Sequence, residues 1–121
     1  MATEERETAG LISSDKVEGT NVYGATREKI GSIERIMIDK RSGHVAYAVL
    51  SFGGFLGIGN DYYPIPWPSL SYDTSLGGYR TNITEEQLKG APKYAGNSWD
   101  WDDRERGRRV YDYYGAPWNG Y

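Results

Sequence analysis

Residues 29–68 hold most of the strongly apolar and β-branched side chains of the chain, so any core must be built around them. Two apolar runs, at 30–38 and 45–52, are rich in residues that suit a pleated, buried surface. The short polar segment 40–43 separates them, and its last residue, Gly43, can take the positive φ that closes a hairpin loop. The two runs are therefore predicted to pair as an antiparallel hairpin.

The run 45–52 is apolar at consecutive positions, which predicts a central strand that is covered on both faces. The first run changes phase, because Ile30 and Ile36 are in step at period two whereas Ile33 is not. A bulge at residues 32–34 would return all three to the core. A helix is the alternative for this run, but its isoleucines and the tight turn after it disfavour a helix. The side chains expected to be buried are Ile36, Ile38, Val45, Val49, Leu50 and Trp67.

Shorter elements are predicted on either side of this hairpin. Strands are expected near 21–23, 29–39, 44–52, 61–66 and 78–81. The polar cluster 13–15 can cap one helical turn, and Thr84 with Gln87 fits a capping box that opens a short helix ending at Gly90. Successive hairpins of this kind indicate an antiparallel meander.

Composition limits the function classes. A length of 121 residues is enough for one domain with a modest core. A content of 38% apolar and 26% charged residues is ordinary for a soluble globular protein. The formal net charge of −3 gives no electrostatic reason to approach nucleic acid or an anionic membrane. There is no cysteine and no run of 18 apolar residues, so we expect neither disulfides nor membrane insertion, and a cytoplasmic location.

The glycine-rich segment 53–59 invites comparison with a phosphate-binding loop. A Walker-type loop needs a Gly-Lys pair, and no lysine occurs between Lys40 and Lys89. A dinucleotide-binding loop opens a helix, which Pro64 and Pro66 forbid here. The segment is predicted to be a connection between strands, and no cofactor is expected.

The glycine-rich segment 53–59, followed by Pro64-Ile65-Pro66-Trp67, resembles the PRC-barrel family. The resemblance covers about residues 11–94. The family takes its name from the cytoplasmic domain of the photosynthetic reaction centre H subunit, and a similar domain occurs in a ribosome maturation factor. The resemblance implies a stand-alone bacterial member with a small, mostly antiparallel β-barrel of about six strands that binds or scaffolds proteins without catalysis. The residues that carry it are Gly31, Gly43, Gly53, Gly54, Gly57, Gly59, Pro64, Pro66 and Trp67.

The last part of the chain, 95–121, differs in character from the rest. Acidic residues come first and basic residues later, which is the order expected of a helix with Ser98 at its N-cap. The predicted organisation is a tail at 1–10, the barrel at 11–94 and an ion-paired helical extension at 95–121. The ion pairs expected at i, i+4 spacing are Asp100–Arg104, Asp102–Arg106, Glu105–Arg109 and Arg108–Asp112.

The extension carries more large rings than a solvated helix needs. Aromatic residues and arginine are preferred anchors of protein interfaces, so we expect self-association, as a homodimer or higher oligomer, through this segment. A second possibility is that the rings pack on the barrel of their own chain. Docking on a second subunit is favoured because the small barrel has limited apolar surface to offer. The candidate interface residues are Trp99, Trp101, Arg108, Tyr111, Tyr113, Tyr114 and Trp118.

An enzyme is not expected. His44 is the single histidine and lies beside a turn glycine, where a solvated side chain is the usual state. Without cysteine or a second histidine, a zinc site or a nucleophile–base pair lacks its components. The predicted function is a non-catalytic module that binds an unidentified protein as well as itself. Two alternatives remain: an accessory protein for a small ligand or an electron-transfer complex, and a ribosome-associated or RNA-processing adaptor.

Overall fold

The computed structural model describes residues 7–51, 61–95 and 99–118. Within these ranges the chain is mainly β, with a few short helices. The strands are β1 (Asn21–Tyr23), β2 (Lys29–Ile38), β3 (Val45–Ser51), β4 (Asp61–Pro66), β5 (Ser71–Asp73), β6 (Gly78–Arg80) and β7 (Tyr94–Ala95), and the helices are α1 (Ser14–Val17), α2 (Glu85–Lys89) and α3 (Arg104–Tyr113). The five predicted strands are present, whereas β5 and β7 were not predicted. The predicted motif residues Gly53, Gly54, Gly57 and Gly59, and the predicted N-cap Ser98, lie outside the described residues.

The β2–β3 hairpin is the centre of the sheet, as predicted. Its register shifts between Ile33 and Arg35, which is the bulge that the change of phase in the first run required. Ile30 and Ile33 are buried, and Ile36, which follows the shift, is partly buried. β3 is buried at five consecutive positions, 46–50, and lies between β2 and β4.

The strand order is β5-β6-β1-β2-β3-β4-β7. Every pair is antiparallel except β1 and β6, which run parallel with Val22 opposite Tyr79. Six strands have three or more residues, and β7 adds a two-residue edge. Within the described ranges β5 and β7 do not pair, so the sheet is open and the predicted barrel closure is not shown. Helix α2 precedes β7, which corrects the expectation that it follows the last strand.

β4 explains how two prolines sit inside a sheet. Along β4, all of Tyr62–Pro66 pairs with β3, whereas on the other side β7 reaches only Asp61 and Tyr62. Pro64 and Pro66 therefore have a strand on one side only, where a missing N–H group is tolerated. Both prolines are fully buried.

One concave face of the sheet encloses a mostly aliphatic cluster, which we call the inner core. It takes residues from β1, β2, β3, β4, β6 and helices α1 and α2. Its buried members are Val17, Val22, Ile30, Ile33, Ala48, Leu50, Tyr63, Ile65, Leu70, Tyr79, Ile83, Leu88 and Ala91. Five of the six core residues predicted from sequence are buried or partly buried.

Ile38 is the exception, because half of its side chain is exposed. A second register shift falls between Met37 and Ile38, just before the hairpin turn. Ile38 pairs with Val45 at the end of the ladder and lies beyond the inner core. The prediction that Ile38 is buried was therefore wrong.

The helices have different caps. Thr84 and Gln87 form the predicted capping box, with the Gln87 N–H donating to Thr84 Oγ1 at 3.1 Å and the Thr84 N–H to Gln87 Oε1 at 2.9 Å. Helix α3 begins later than predicted, with Asp103 as its N-cap. None of the described helices is long and apolar enough to cross a membrane.

The late start of α3 removes two predicted ion pairs from helical spacing. Asp100 and Asp102 precede the helix in a turn. The charged contact described at this end of α3 joins Arg106 to Asp103, at 4.0 Å. Acidic residues before the helix thus cap it and close a turn.

Candidate interaction surface

The aromatic residues of the extension lie on the sheet of their own chain. Successive side chains of a strand point to opposite faces, so Tyr47 leaves β3 on the face opposite Ala48. Tyr47 belongs to a second cluster, which we call the outer aromatic cluster, whereas Ala48 belongs to the inner core. The outer aromatic cluster contains Ala46, Tyr47, Val110 and Tyr111, with Met37, Trp99, Trp101, Tyr114, Ala116 and Trp118 packed against them.

Tyr111 fastens α3 to β3. Its ring meets that of Tyr47 edge-on at a centroid distance of 5.5 Å, and its Oη donates a hydrogen bond of 2.5 Å to the carbonyl oxygen of Ala46. Trp118 packs on the other side of the same ring at 5.2 Å. A buried phenol needs a hydrogen-bond partner, and this one takes a backbone carbonyl of the sheet.

The two tryptophans before α3 extend the cluster. The ring of Trp101 lies 5.4 Å from Tyr47 and 5.9 Å from Tyr94, and Trp99 lies 5.9 Å from Trp101. The guanidinium of Arg106 stands over Trp99 at 5.0 Å, a cation–π contact. The tryptophan rings thus connect the turn before α3 to strands β3 and β7 of the sheet.

These contacts lie within one chain and do not test the expectation that Trp99, Trp101, Tyr113 and Trp118 are covered by a second subunit. Trp99, Trp101 and Trp118 are partly buried against their own chain. Tyr113 is 38% exposed, and its hydroxyl donates to the carbonyl of Gln87.

Two candidate interface residues remain, Arg108 on α3 and Tyr114 directly after the helix. Arg108 is exposed. The hydroxyl of Tyr114 is buried without a partner among the described residues, and this burial raises the pKa of its phenol. Self-association itself stays a prediction.

An open groove lies beside the outer aromatic cluster. It runs between the end of the β2–β3 hairpin, residues 37–47, and the residues that lead into α3, 101–104, and it has a volume of about 730 Å³. We call it the hairpin groove. Its lining includes apolar residues, which we call the floor (Met37, Ile38, Tyr47 and Trp101), and charged residues, which we call the rim (Lys40, Arg41, Arg104, Asp39 and Asp102).

The hairpin turn holds the basic rim in place. Gly43 has a φ of 79°, and its N–H donates to the carbonyl of Asp39 at 2.8 Å. The Asp39 carboxylate accepts hydrogen bonds from Ser42 Oγ at 2.8 Å and from the Arg41 N–H at 3.2 Å. These hydrogen bonds, that of Ser42 first, lower the pKa of Asp39 below its usual value. The Asp39 carboxylate is thus hydrogen-bonded within the turn.

A second groove of about 620 Å³ lies between β5, the residues after β6, α2 and the segment 114–117. Several of its polar groups have partners, whereas Tyr114, whose buried hydroxyl has none among the described residues, also lines it. Asp73 accepts from Ser75 Oγ at 2.6 Å and pairs with Arg80 at 3.4 Å, Gln87 belongs to the capping box, and Thr81 Oγ1 accepts from the Ile83 N–H.

The structure brings together no metal site in the part of the chain that it describes. No group of three or more His, Cys, Asp or Glu side chains there could hold an ion. His44 lies exposed at the rim of the hairpin groove.

The described residues thus form an open, mainly antiparallel sheet with α3 packed on one of its faces. The model of the PRC-barrel domain family matches residues 9–88, and the chain belongs to this family. The resemblance drawn from the sequence is confirmed. No curated protein matches the chain.

Proposed function

We propose that this protein is a non-catalytic protein-binding module and that the hairpin groove is its docking surface. Membership of the PRC-barrel family suggests a protein-interaction module. The observation that carries the proposal is the side chain of Ile38, which stays 50% exposed in a strand of the central hairpin. An apolar floor inside a polar rim is the usual anatomy of a protein interface.

The groove suits a protein better than a small molecule. Of its lining residues only Ala46 and Tyr47 are buried, and its polar side chains are exposed or partly exposed. Small-molecule sites use a few fixed polar groups to orient the ligand inside an enclosed pocket. Exposed polar side chains around an apolar floor match the rim of a protein interface instead, so the small-ligand alternative is less well supported.

Self-association and a cytoplasmic location remain part of the proposal. With the rings of the extension packed on their own sheet, a second copy would have to use another surface, such as the hairpin groove. Light scattering at high micromolar concentration measures this directly, and a monomeric mass contradicts self-association while leaving the binding of another protein untouched.

Affinity capture with quantitative mass spectrometry tests the docking surface. The immobilised full-length chain is compared with Ile38→Asp and with Leu11→Asp, a matched control because Leu11 is 77% exposed and lies outside the groove. We expect a defined set of proteins that the wild type and Leu11→Asp capture and that Ile38→Asp loses. Capture of the same set by all three chains would refute the groove as the docking surface.

A further inference from the structure

The floor of the hairpin groove is built to receive an apolar side chain. Ile38 and Met37 come from β2, Tyr47, which is buried, from β3, and Trp101 from the turn before α3. Trp101 is held by its contact with Tyr47 at 5.4 Å. A partner side chain that enters this space removes the exposed half of Ile38 from water, and burial of apolar area favours association.

The rim selects the charge of the partner. Three basic residues, Lys40, Arg41 and Arg104, line the groove against two acidic ones, Asp39 and Asp102, in a chain whose net charge is −3. Lys40 forms no ion pair with any described residue. Arg41 is near enough to lower the pKa of Asp39, but the carboxylate is hydrogen-bonded within the turn. The groove is thus a locally basic surface on an acidic protein.

The concave shape of the hairpin groove favours a protein segment over two other anionic partners, a bilayer and a nucleic acid. A bilayer surface cannot enter a groove between a hairpin and a helix, and Asp39 and Asp102 would face its headgroups. A nucleic acid is bound through many phosphate contacts, and three basic residues beside two acids provide few.

We infer that the hairpin groove binds an acidic polypeptide segment with an apolar anchor, the anchor on the floor formed by Ile38 and Trp101 and the carboxylates at Lys40 and Arg41. This inference rests on the proposed function and specifies its partner. The charges set the orientation and rate of association, and the anchor contributes most of the affinity.

A synthetic peptide with two adjacent leucines between two blocks of three glutamates is the probe. It is titrated into the uniformly ¹⁵N-labelled full-length chain, and amide and indole chemical shifts are followed by NMR. We expect changes confined to residues 37–47 and 101–104, including the Trp101 indole. A peptide with lysines in place of the glutamates, and one with glycines in place of the leucines, should each bind at least tenfold more weakly.

The double variant Lys40→Glu/Arg41→Glu tests the rim. Its matched control is Arg108→Glu/Arg109→Glu, which changes the net charge equally at exposed positions of α3 outside the groove. At about 0.15 M salt, charges more than about 8 Å from the site are largely screened. The groove variant should weaken binding of the acidic peptide at least tenfold, and the control less than twofold, with melting curves of both like the wild type.

The outcomes separate the inference from the proposed function. Equal binding of the glutamate and lysine peptides, or equal effects of the two double variants, overturns the acidic partner. Binding of phosphatidylserine vesicles that displaces the peptide overturns it in favour of a membrane surface. If Ile38→Asp abolishes protein capture while the acidic peptide fails to bind, the docking surface stands and the partner chemistry is wrong. If Ile38→Asp leaves capture intact and the acidic peptide fails to shift the groove, both are wrong.

Discussion

The inner core and the outer aromatic cluster both take buried residues from β3, and Tyr114 packs against both. They differ in composition and in the part of the chain that supplies most of their residues. The inner core is mostly aliphatic and is drawn from residues between Val17 and Ala91. The outer aromatic cluster pairs the hairpin with rings from residues 99–118. The family match ends at residue 88, so it includes nearly all of the first region and excludes the rings that the extension contributes to the second. The family-matching part forms the sheet and its interior, and the extension covers one outer face.

The two regions also gain stability differently. An aliphatic interior is stabilised by burial in proportion to area and by close packing, and removing a buried leucine side chain costs about 2–5 kcal/mol. Aromatic pairs add about 0.5–1.5 kcal/mol each beyond their buried area and prefer tilted or edge-on geometry. The contacts of Tyr47 with Trp101 and Tyr111 have this geometry, with interplanar angles of 56° and 76°.

The largest effect is expected from Val49→Asp, because Val49 is fully buried in the shared strand. An unpaired charge there cannot be solvated, so the chain should lose cooperative unfolding altogether. Thermal melting followed by circular dichroism measures this. Ile38→Asp introduces the same charge at a half-exposed position of the same hairpin and should still melt cooperatively, and a cooperative melt of Val49→Asp would contradict the assignment of β3.

Removal of residues 96–121 separates the two regions. The buried residues of the inner core all lie in the part that remains, which loses only the packing of Tyr114 against them, so the shortened chain should fold. It loses Tyr111, and truncating such a ring alone costs about 3–5 kcal/mol. We expect a lower denaturation midpoint and binding of a hydrophobic dye to the uncovered side of β3. Complete loss of cooperative unfolding would show instead that the two regions form one unit.

Tyr111→Phe measures the contribution of the hydrogen bond that joins the Tyr111 hydroxyl to the carbonyl oxygen of Ala46. The change keeps the ring contacts and leaves the carbonyl of Ala46 without its donor, which should cost about 1–3 kcal/mol by urea unfolding. Tyr113→Phe removes a hydroxyl from an exposed ring of the same helix and should cost less. Equal losses would mean that the bond to Ala46 adds nothing to the attachment of α3.

The smallest effect concerns the N-terminal segment, which contacts β5 through Tyr72. Glu7 accepts hydrogen bonds from Lys16 Nζ, at 2.5 Å, and from Tyr72, and the bond to Glu7 is the main cause that raises the pKa of Tyr72 to about 12. The unfolded phenol ionises first, so this contribution is complete below about pH 10 and is lost as the pH rises through 12.

Ultraviolet titration of the phenolates checks this value. Glu7→Gln should return the pKa of Tyr72 toward 10, and Tyr94 serves as an internal reference because its raised pKa comes first from burial and owes nothing to Glu7. An unchanged Tyr72 titration in Glu7→Gln would rule out the hydrogen bond as the cause.

Local rules predicted the hairpin well. The phase change of Ile30, Ile33 and Ile36 required a bulge, and the structure has one between Ile33 and Arg35. Gly43 closes the turn with the expected positive φ, and Thr84 and Gln87 form the capping box. Each of these features depends on residues within a few positions of one another.

Packing between residues far apart in the chain could not be predicted from the sequence in the same way. β5 and β7 are two or three residues long and form only because other strands lie beside them. Asp103 caps α3 although Ser98 has an equally good capping side chain, because the ring contacts of Trp99 and Trp101 hold the preceding residues in a turn. The exposure of Ile38 and the fold-back of the rings depend on where the hairpin ends relative to α3. The hairpin groove could not be predicted for the same reason.

The parallel pair of β1 and β6 has a consequence for how the chain folds. The β2–β3 hairpin closes a loop of a few residues and can form early, whereas β1 meets β6 only after more than 50 intervening residues are brought into place. We expect substitutions at Leu50 to slow folding and substitutions at Val22 mainly to speed unfolding. During synthesis, β1 is among the first strands to leave the ribosome, yet it has no parallel partner until Arg80 has emerged.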